Sequence, residues 1–449
     1  MKFKKKLYKN FLLSNQSNII SYAISKLHST YEILENKKKI NFYSSLKKYM
    51  AIIFDFSNKY SPNKKKIDLI IISNIISKYK LNHDEYFGDL AYRLNQKKIN
   101  TFTIFRNFTS LPSKKIRKQI KTKNSIILSK RASYKIELLI IFKFLKEILI
   151  FLFTNKYSIL GKNLNVIDFF SIISNLRFYF QLNEILKFYK TKKIIFTYEG
   201  HAWERLLVHL CRNSGLNINS IAYQFSIIKK NQYGMFNRLK KDYNPDFIAS
   251  SGKIPNKLLK KKIKFSEIIN LGSAKYIKPK KKFIKNNDLL VALDADDHKL
   301  KNVINFIKGF ARKYKGSKII LRPHPISINN SSLINKIKYQ VSDYKNIKLS
   351  YKNLNKDLAG ARYLLFTESA VCFTCLNFNV VPLFFKIDNG KNVFDKYYPK
   401  RYEIKSHTGL KNIIKNKENK NLKKYFQKYR DNYFQKYELN YLEKIINKL

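Results

Sequence analysis

Cysteine, acidic residues, glycine, proline and long apolar runs are all scarce in this chain, and most of these scarcities remove a class of protein. Three cysteines in 449 residues, Cys211, Cys372 and Cys375, are too few for a disulfide framework and fit a reducing compartment. Cys372 and Cys375 have C-x-x-C spacing, but zinc needs two further ligands, so the expectation is two small buried residues on a helix. After the basic stretch Met1 to Lys9 no sufficiently long apolar run follows before Asn15, so no secretory signal is read and the chain is expected in the cytoplasm. The most apolar stretch, Leu138 to Phe153, is interrupted by Lys143, Lys146 and Glu147 and does not reach the roughly 20 apolar residues of a bilayer span. It reads as an amphipathic helix, facing the core of the first domain or lying at a membrane interface.

Acid is outnumbered three to one: 30 Asp and Glu stand against 90 Lys and Arg, a formal net charge of +60. Alone, that points to nucleic acid or an anionic membrane. Lys far outnumbers Arg, however, and no nucleic-acid recognition motif is present. The lysines fall in short scattered clusters such as Lys4 to Lys6, Lys64 to Lys66 and Lys280 to Lys282. Glycine (12) and proline (9) are few while Lys, Asn, Ile, Phe and Tyr abound, as AT-rich codons would produce. The charge is therefore read mainly as solvated surface, and no nucleic-acid partner is expected.

What is present is enough for a packed enzyme. Hydrophobic residues make up 45% and aromatics 15%, and 449 residues exceed one core, so two α/β domains are expected. Residues 1–63 read as a basic helical region. From 64 to 277 short β-branched or aromatic runs (Leu69 to Ile72, Asn100 to Arg106, Lys193 to Thr197, Asn219 to Tyr223, Pro245 to Ser250, Ile268 to Leu271) alternate with helical stretches at Asp84 to Leu94, Val166 to Tyr189 and Trp203 to Cys211. Lys278, Pro279 and Lys280 to Lys282 read as a linker. From 286 to 400 strands at Leu289 to Leu293, Lys318 to Leu321, Ile347 to Ser350, Tyr363 to Phe366 and Val380 to Phe385 alternate with helices, the pattern of a doubly wound parallel sheet. Residues 401–449 read as terminal helices.

In such sheets ligands bind at the carboxyl edge, so residues between a strand and the next helix are the candidates. Glu199 and His201 flank Gly200 after a strand and suit proton transfer with an acceptor hydroxyl, or simply cap the helix near Trp203. Arg322 and His324 lie at the end of the next domain's second strand, His324 between Pro323 and Pro325, where both suit phosphate contact. Glu368 and Ser369 begin a helix whose free N–H groups favour phosphate, with Glu368 accepting from a ribose hydroxyl. Asp294, Asp296 and Asp297 form an acidic loop, read as solvated, and no metal is assigned.

The order Tyr198-Glu199-Gly200-His201, Trp203-Glu204, Tyr223-Gln224, Pro245-Asp246, Ser251-Gly252, Leu271-Gly272, Arg322-Pro323-His324-Pro325 and Thr367-Glu368-Ser369 resembles bacterial surface-polysaccharide and capsule glycosyltransferases of the GT-B type, including sialyltransferase-like and glycerophosphotransferase-like proteins. The resemblance covers roughly residues 190 to 390 and departs at Phe225, where relatives often have His after Gln. It implies two Rossmann-like domains facing each other across a cleft, with extra N- and C-terminal helices. It further implies transfer from a nucleotide-sugar to a polysaccharide or lipid-linked acceptor without metal or cofactor, with His324 on donor phosphate and Glu199 as base. The rival readings are a nucleotide-sugar epimerase on the same fold and a basic nucleic-acid-binding protein. Basic surface and the 138–153 helix would place the protein peripherally at the inner face of the cytoplasmic membrane.

Overall fold

The computed structural model describes residues 67–76, 84–109, 111–120, 124–153, 166–228, 233–276, 283–328, 330–387, 390, 392–394, 398–415 and 420–447. The helical region expected over 1–63 and the linker lysines Lys278 to Lys282 lie outside them.

Short, almost continuously apolar runs build the first sheet, as befits strands covered on both faces. They are β1 Leu69–Ile75, β2 Thr101–Asn107, β3 Ser125–Ile127, β4 Lys193–Thr197, β5 Asn219–Gln224, β6 Phe247–Ser250 and β7 Glu267–Asn270. All neighbours pair in parallel, in the order β3-β2-β1-β4-β5-β6-β7. The flanking helices are α1 Leu90–Gln96, α2 Ser113–Arg117, α3 Tyr134–Phe153, α4 Val166–Phe188, α5 Ala202–Asn213 and α6 Lys253–Lys262. Side chains alternate between the two faces with the period of a strand. Ile70, Ile72, Phe102, Ile104, Ile194 and Phe196 join one core cluster, and Leu69, Ile71, Ile195 and Ile221 join the other.

The second sheet holds β8 Asn287–Ala292, β9 Ile319–Arg322, β10 Ile347–Leu349, β11 Ala361–Phe366, β12 Val381–Phe385 and β13 Glu403–Ile404, with α7 Asp297–Lys313, α8 Ser331–Val341 and α9 Leu354–Gly360 around it. Its order is β10-β9-β8-β11-β12-β13, again all parallel. Each sheet thus grows outward from its first strand in both directions. The strand order reverses between β1 and β4 in one sheet and between β8 and β11 in the other, which marks each crevice as the place for a ligand.

Three local expectations change. The helix expected from Asp84 begins only at Leu90, because the Asp84 carboxylate accepts from the backbone N–H groups of Tyr86 and Phe87 and from the Ser73 hydroxyl, holding a turn that Gly88 closes at φ 55°. The strands β3 and β13 are three and two residues long, too short to show a period. The helix expected near Ser369 to Leu376 is one α-turn, Val371–Thr374, followed by a 3-10 turn.

The C-terminal helices α10 His407–Lys415, α11 Lys420–Asn432 and α12 Leu439–Asn447 do not form a unit of their own. Phe426, Tyr429 and Tyr433 belong to the core of the second domain, whereas Leu439, Leu442 and Ile446 belong to the first. The chain crosses between them over residues 433–438, along the carboxyl edge of β6 and β7. There the Gln435 N–H donates to the Ser251 carbonyl (2.9 Å), the Ser273 N–H to the Gln435 carbonyl (2.8 Å) and the Glu438 N–H to the Leu271 carbonyl (2.8 Å). The glycines after β6 and β7 exist for this crossing. A Cβ at Gly252 would press on the Tyr433 carbonyl and one at Gly272 would overlap the Lys436 carbonyl, and Gly272 also sits at φ +92°.

Gly272→Ala should therefore destabilise far more than Gly215→Ala, although both glycines have positive φ, because nothing lies within 4 Å of the Gly215 position. In urea unfolding the expected losses are about 3 kcal/mol or more for Gly272→Ala, and about 1 kcal/mol for Gly215→Ala. Equal losses would show that the crossing is not closely packed.

Candidate functional site

At the first sheet's crevice the chain leaves β4 and turns through Glu199, Gly200 and His201 into α5. Gly200 takes φ +87°, and a Cβ there would overlap the Gly234 backbone, so only glycine lets the one-turn helix Tyr233–Phe236 dock. Fully buried Arg205 clamps that docked loop, donating to the carbonyls of Gly234, Asn237 and Tyr243 and to Asn244 Oδ1. The turn itself is held from the third position of α5. Glu204 Oε2 accepts three backbone N–H groups, those of Glu199 (2.9 Å), Gly200 (2.7 Å) and His201 (2.8 Å). This is the carboxylate half of a capping box extended to a three-donor nest. It explains why the turn has one shape: all three N–H groups point at one oxygen.

Held this way, His201 Nε2 lies 3.0 Å from Glu199 Oε2, and both side chains are partly open to solvent. Desolvation pushes the Glu199 carboxyl up, but the hydrogen bond and charge of His201 and the charge of Lys275 outweigh it and hold it below its ordinary value. Burial pulls His201 down, yet the charges of Glu204 and Glu199 and the bond to Glu199 leave its imidazolium favoured. The shifts favour the charged form of both groups, so that the couple is poised to share a proton. Glu204 is 1% exposed, and desolvation raises its carboxyl to about 7 against the opposing charge of His201 and its N–H donors.

Two cations complete this edge. Arg106, at the end of β2, is 7% exposed with its guanidinium carbon over the rings of Trp203 (4.0 Å), Phe178 (4.5 Å) and Phe108 (4.8 Å). Burial lowers it to about 9. Lys275 follows β7, donates to the Phe225 carbonyl (3.0 Å) and is lowered by burial to about 8, with Glu199 opposing. Across the crevice Asn74 Nδ2 donates to Thr197 Oγ1.

The second crevice repeats that bridge, since the Thr367 hydroxyl after β11 donates to Asp294 Oδ2 after β8. Asp294 also accepts the Asp296 N–H, and Asp296 caps α7 through the His298 and Lys299 N–H groups, so two of the loop's three acids brace it. Lys299 Nζ lies 3.1 Å from Glu368 Oε2. Ser369 Oγ accepts from the Val371 N–H at 3.4 Å. His324 follows β9, where its carbonyl accepts the N–H groups of Ser327 and Ile328 and Pro325 opens a single helical turn. Arg322 differs from its neighbours in direction: its Nη1 donates to Asp357 Oδ2 and to the Lys352 carbonyl, both at 2.6 Å. That bond ties β9 to α9. A cavity of about 730 Å³ lies beside it along the β8–β10 face, lined by Lys348, Tyr351, Lys352 and Lys356 among others, and it includes none of the crevice residues. Burial pushes the Cys372 and Cys375 thiols up, and Cys375 Sγ donates to backbone carbonyls.

The two crevices are joined by a continuous path. Lys275, which senses Glu199, lies over the rings of Phe225 and Phe434. Phe434 packs on Tyr433, whose ring stacks on Phe373 at 3.9 Å, four residues past Ser369. The Tyr433 hydroxyl accepts the Ile228 N–H after β5, and Ile227 is buried in the second domain's core. Both carboxyl edges therefore meet around Tyr433. Of the residues expected from sequence, Glu199 and His201 come into direct contact, Glu368 and Ser369 stand at the second crevice, His324 lies one strand away on the same edge, and Arg322 is bound up with Asp357. Sequence reading missed Arg106, Lys275, Lys299 and the role of Glu204. Only Glu204 carried a local signal, its three-residue spacing from His201.

A scan of protein-family models finds no match, and no curated protein matches the chain in sequence. Solved structures do match. MnaA of S. aureus, solved with UDP, superposes with a TM-score of 0.53 at 10% identity, covering 86% of this chain and 98% of MnaA. A Listeria monocytogenes protein provisionally described as a UDP-N-acetylglucosamine 2-epimerase gives 0.51 at 10% identity over 86% and 98%. The wall teichoic acid polymerase TagF gives 0.45 at 11% identity over 89% and 92%. The fold is GT-B, two Rossmann-like domains meeting at their carboxyl edges.

The pH dependence of stability should report the Glu204 nest. An acid raised from 4.5 to about 7 stabilises the fold fully below pH 4.5, and this contribution is lost as pH rises through about 7. Glu204→Gln lacks that titration, so urea unfolding should show wild type losing about 3 kcal/mol relative to the variant across this window. A constant difference between the two would contradict the assignment.

Proposed function

We propose that the chain is a glycosyltransferase that takes a nucleotide-sugar donor on its second domain and an acceptor hydroxyl at the first. The observation that carries this reading is the Glu199–His201 couple, oriented by Glu204 at one crevice, with the second crevice joined to it through Tyr433. Glu199, kept ionised by its 3.0 Å contact with His201, accepts the acceptor proton. As the acceptor oxygen bonds to the anomeric carbon, the bond from that carbon to donor phosphate breaks. The charge released there is met by His324 and by the Ser369 hydroxyl and neighbouring N–H groups, while Glu368, held by Lys299, accepts from the ribose. Arg322 serves the site indirectly by fixing the strand end that carries His324. MnaA was solved with UDP, which supports a nucleotide ligand.

A second reading shares the donor site and needs no acceptor: a nucleotide-sugar epimerase, favoured by the description of the Listeria protein. Analysis of the products formed from nucleotide-sugar with and without acceptor separates the two.

We further propose peripheral attachment to an anionic membrane, where lipid-linked acceptors reside. No helix among the described residues is long and apolar enough to cross a membrane. Yet α3, anchored to α4 by the Glu137–Arg177 pair and by buried Ile140, leaves Leu138, Ile141, Phe142 and Leu145 between 48% and 69% exposed. An apolar helix face on a chain of net charge +60 suits an anionic bilayer surface.

Thermal-shift screening of CMP, CDP, UDP and GDP should find one that stabilises the protein. His324→Ala should weaken that nucleotide about tenfold, roughly 1.4 kcal/mol. Glu199→Gln should leave nucleotide binding intact and slow turnover about 10²- to 10⁴-fold. If no nucleotide stabilises the protein, or His324→Ala changes nothing, the donor site is wrong. Flotation with anionic liposomes should carry the protein upward and Phe142→Glu should reduce it; protein left wholly at the bottom would remove the membrane reading.

A further inference from the structure

The face of the first sheet that packs on α4 and α5 is largely apolar, and along β2 it stays so until the carboxyl edge. Along β2 it runs Phe102, Ile104, and then Arg106. The guanidinium is packed among Trp203, Phe178 and Phe108, and these ring faces satisfy its charge in part but offer no hydrogen-bond acceptor in the ring plane. Its Nη1 is buried with no hydrogen-bond partner. A charged nitrogen left so is costly and calls for an anionic partner.

The adjacent strand carries a second orphan. Asn74 is the register partner of Arg106 in the β1–β2 pair. Its Nδ2 is spent on Thr197, and its Oδ1 is buried without a partner. An unfilled donor and an unfilled acceptor thus stand side by side where β1 and β2 end, next to the crevice that holds Glu199 and His201. Neither the Glu199 proton transfer nor the donor phosphate contact uses them. The charges near Arg106 are Glu204 and the Tyr86 hydroxyl on the attractive side and His201 on the repulsive side. Glu204 acts on Arg106 through its charge, while its Oε2 is taken by three N–H groups, so the hydrogen-bond valence of the guanidinium stays unfilled. The outer wall of the cage is Phe108, 54% exposed, whose displacement would admit a ligand from solvent.

We propose that Arg106, in its aromatic cage and beside Asn74, is an anion subsite that binds a phosphoryl or carboxylate group carried by the acceptor substrate. This rests on the reading of the first crevice as the acceptor side. The anion meets the guanidinium edge-on while Asn74 Oδ1 accepts from a neighbouring hydroxyl of the same molecule. The enzyme then selects acidic acceptors, and their charge sets the acceptor hydroxyl against Glu199.

The chain carries its own reporter, because Trp203 is its single tryptophan and lies 4.0 Å from the Arg106 guanidinium carbon. Trp203 emission of the full chain is followed while methyl phosphate, acetate or chloride is added at constant ionic strength. A saturable change with methyl phosphate or acetate and none with chloride is expected, and the anion that saturates at lower concentration identifies the acceptor's group. Arg106→Met should abolish the saturable change, and Arg106→Lys, which keeps the charge without the planar fork, should weaken it at least fivefold. His324→Ala should leave it intact. No saturable change in wild type, or one that survives in both Arg106 variants, overturns the proposal. Nucleotide stabilisation is read separately: its absence with the Trp203 response intact would sink the donor site and leave the anion subsite standing.

Discussion

The molecule's two halves are held in one working geometry by Tyr433. Its ring stacks on Phe373 in the second domain, and its hydroxyl accepts the Ile228 N–H in the first. The proposed transfer depends on that double attachment, because the proton acceptor Glu199 stands at one crevice and the groups proposed for donor phosphate stand at the other. The crossing chain that carries Tyr433 runs so close to the ends of β6 and β7 that the loops after them contain glycine where it passes. Two weak-looking dipeptides, Ser251-Gly252 and Leu271-Gly272, are thereby explained by packing against a segment about 160 to 180 residues later.

Charge is handled differently inside and outside. Among the described residues most lysines are exposed, whereas the first crevice holds a small set of partly or wholly buried ionisable groups in which each sign is used. Glu204 spends its charge on shaping the turn, Glu199 and His201 hold each other near a shared proton, and Lys275 is weakened as a cation by burial. Arg106 is the exception, a buried guanidinium stacked on rings with an unfilled nitrogen. In a low-dielectric edge of this kind an unmatched charge is a specificity element, since the group that matches it gains far more there than in water.

Much of this is legible in the amino-acid sequence. The alternation of short apolar runs with helical periods gave the two parallel sheets, and most strand positions shift by only a few residues. Strand-to-helix turns identified Glu199, His201, His324, Glu368 and Ser369 as edge residues, and each does lie at a carboxyl edge. Arg322 was read the same way, but a strand end says nothing about which side the side chain takes, and Asp357 claims it. The short strands β3 and β13 were invisible because a period cannot show in two or three residues.

Local sequence therefore determined the elements and their order, since strand and helix periods, glycine turns and helix starts are set by neighbours along the chain. Only the tertiary structure decided which charges meet. Arg106 stacks on a tryptophan 97 positions away, Lys275 reaches Glu199 from the far strand, and Tyr433 closes the two domains from the C-terminal helices. Such contacts arise from how sheets and helices pack, and electrostatic coupling depends on distance in space and on burial, neither of which a linear pattern encodes.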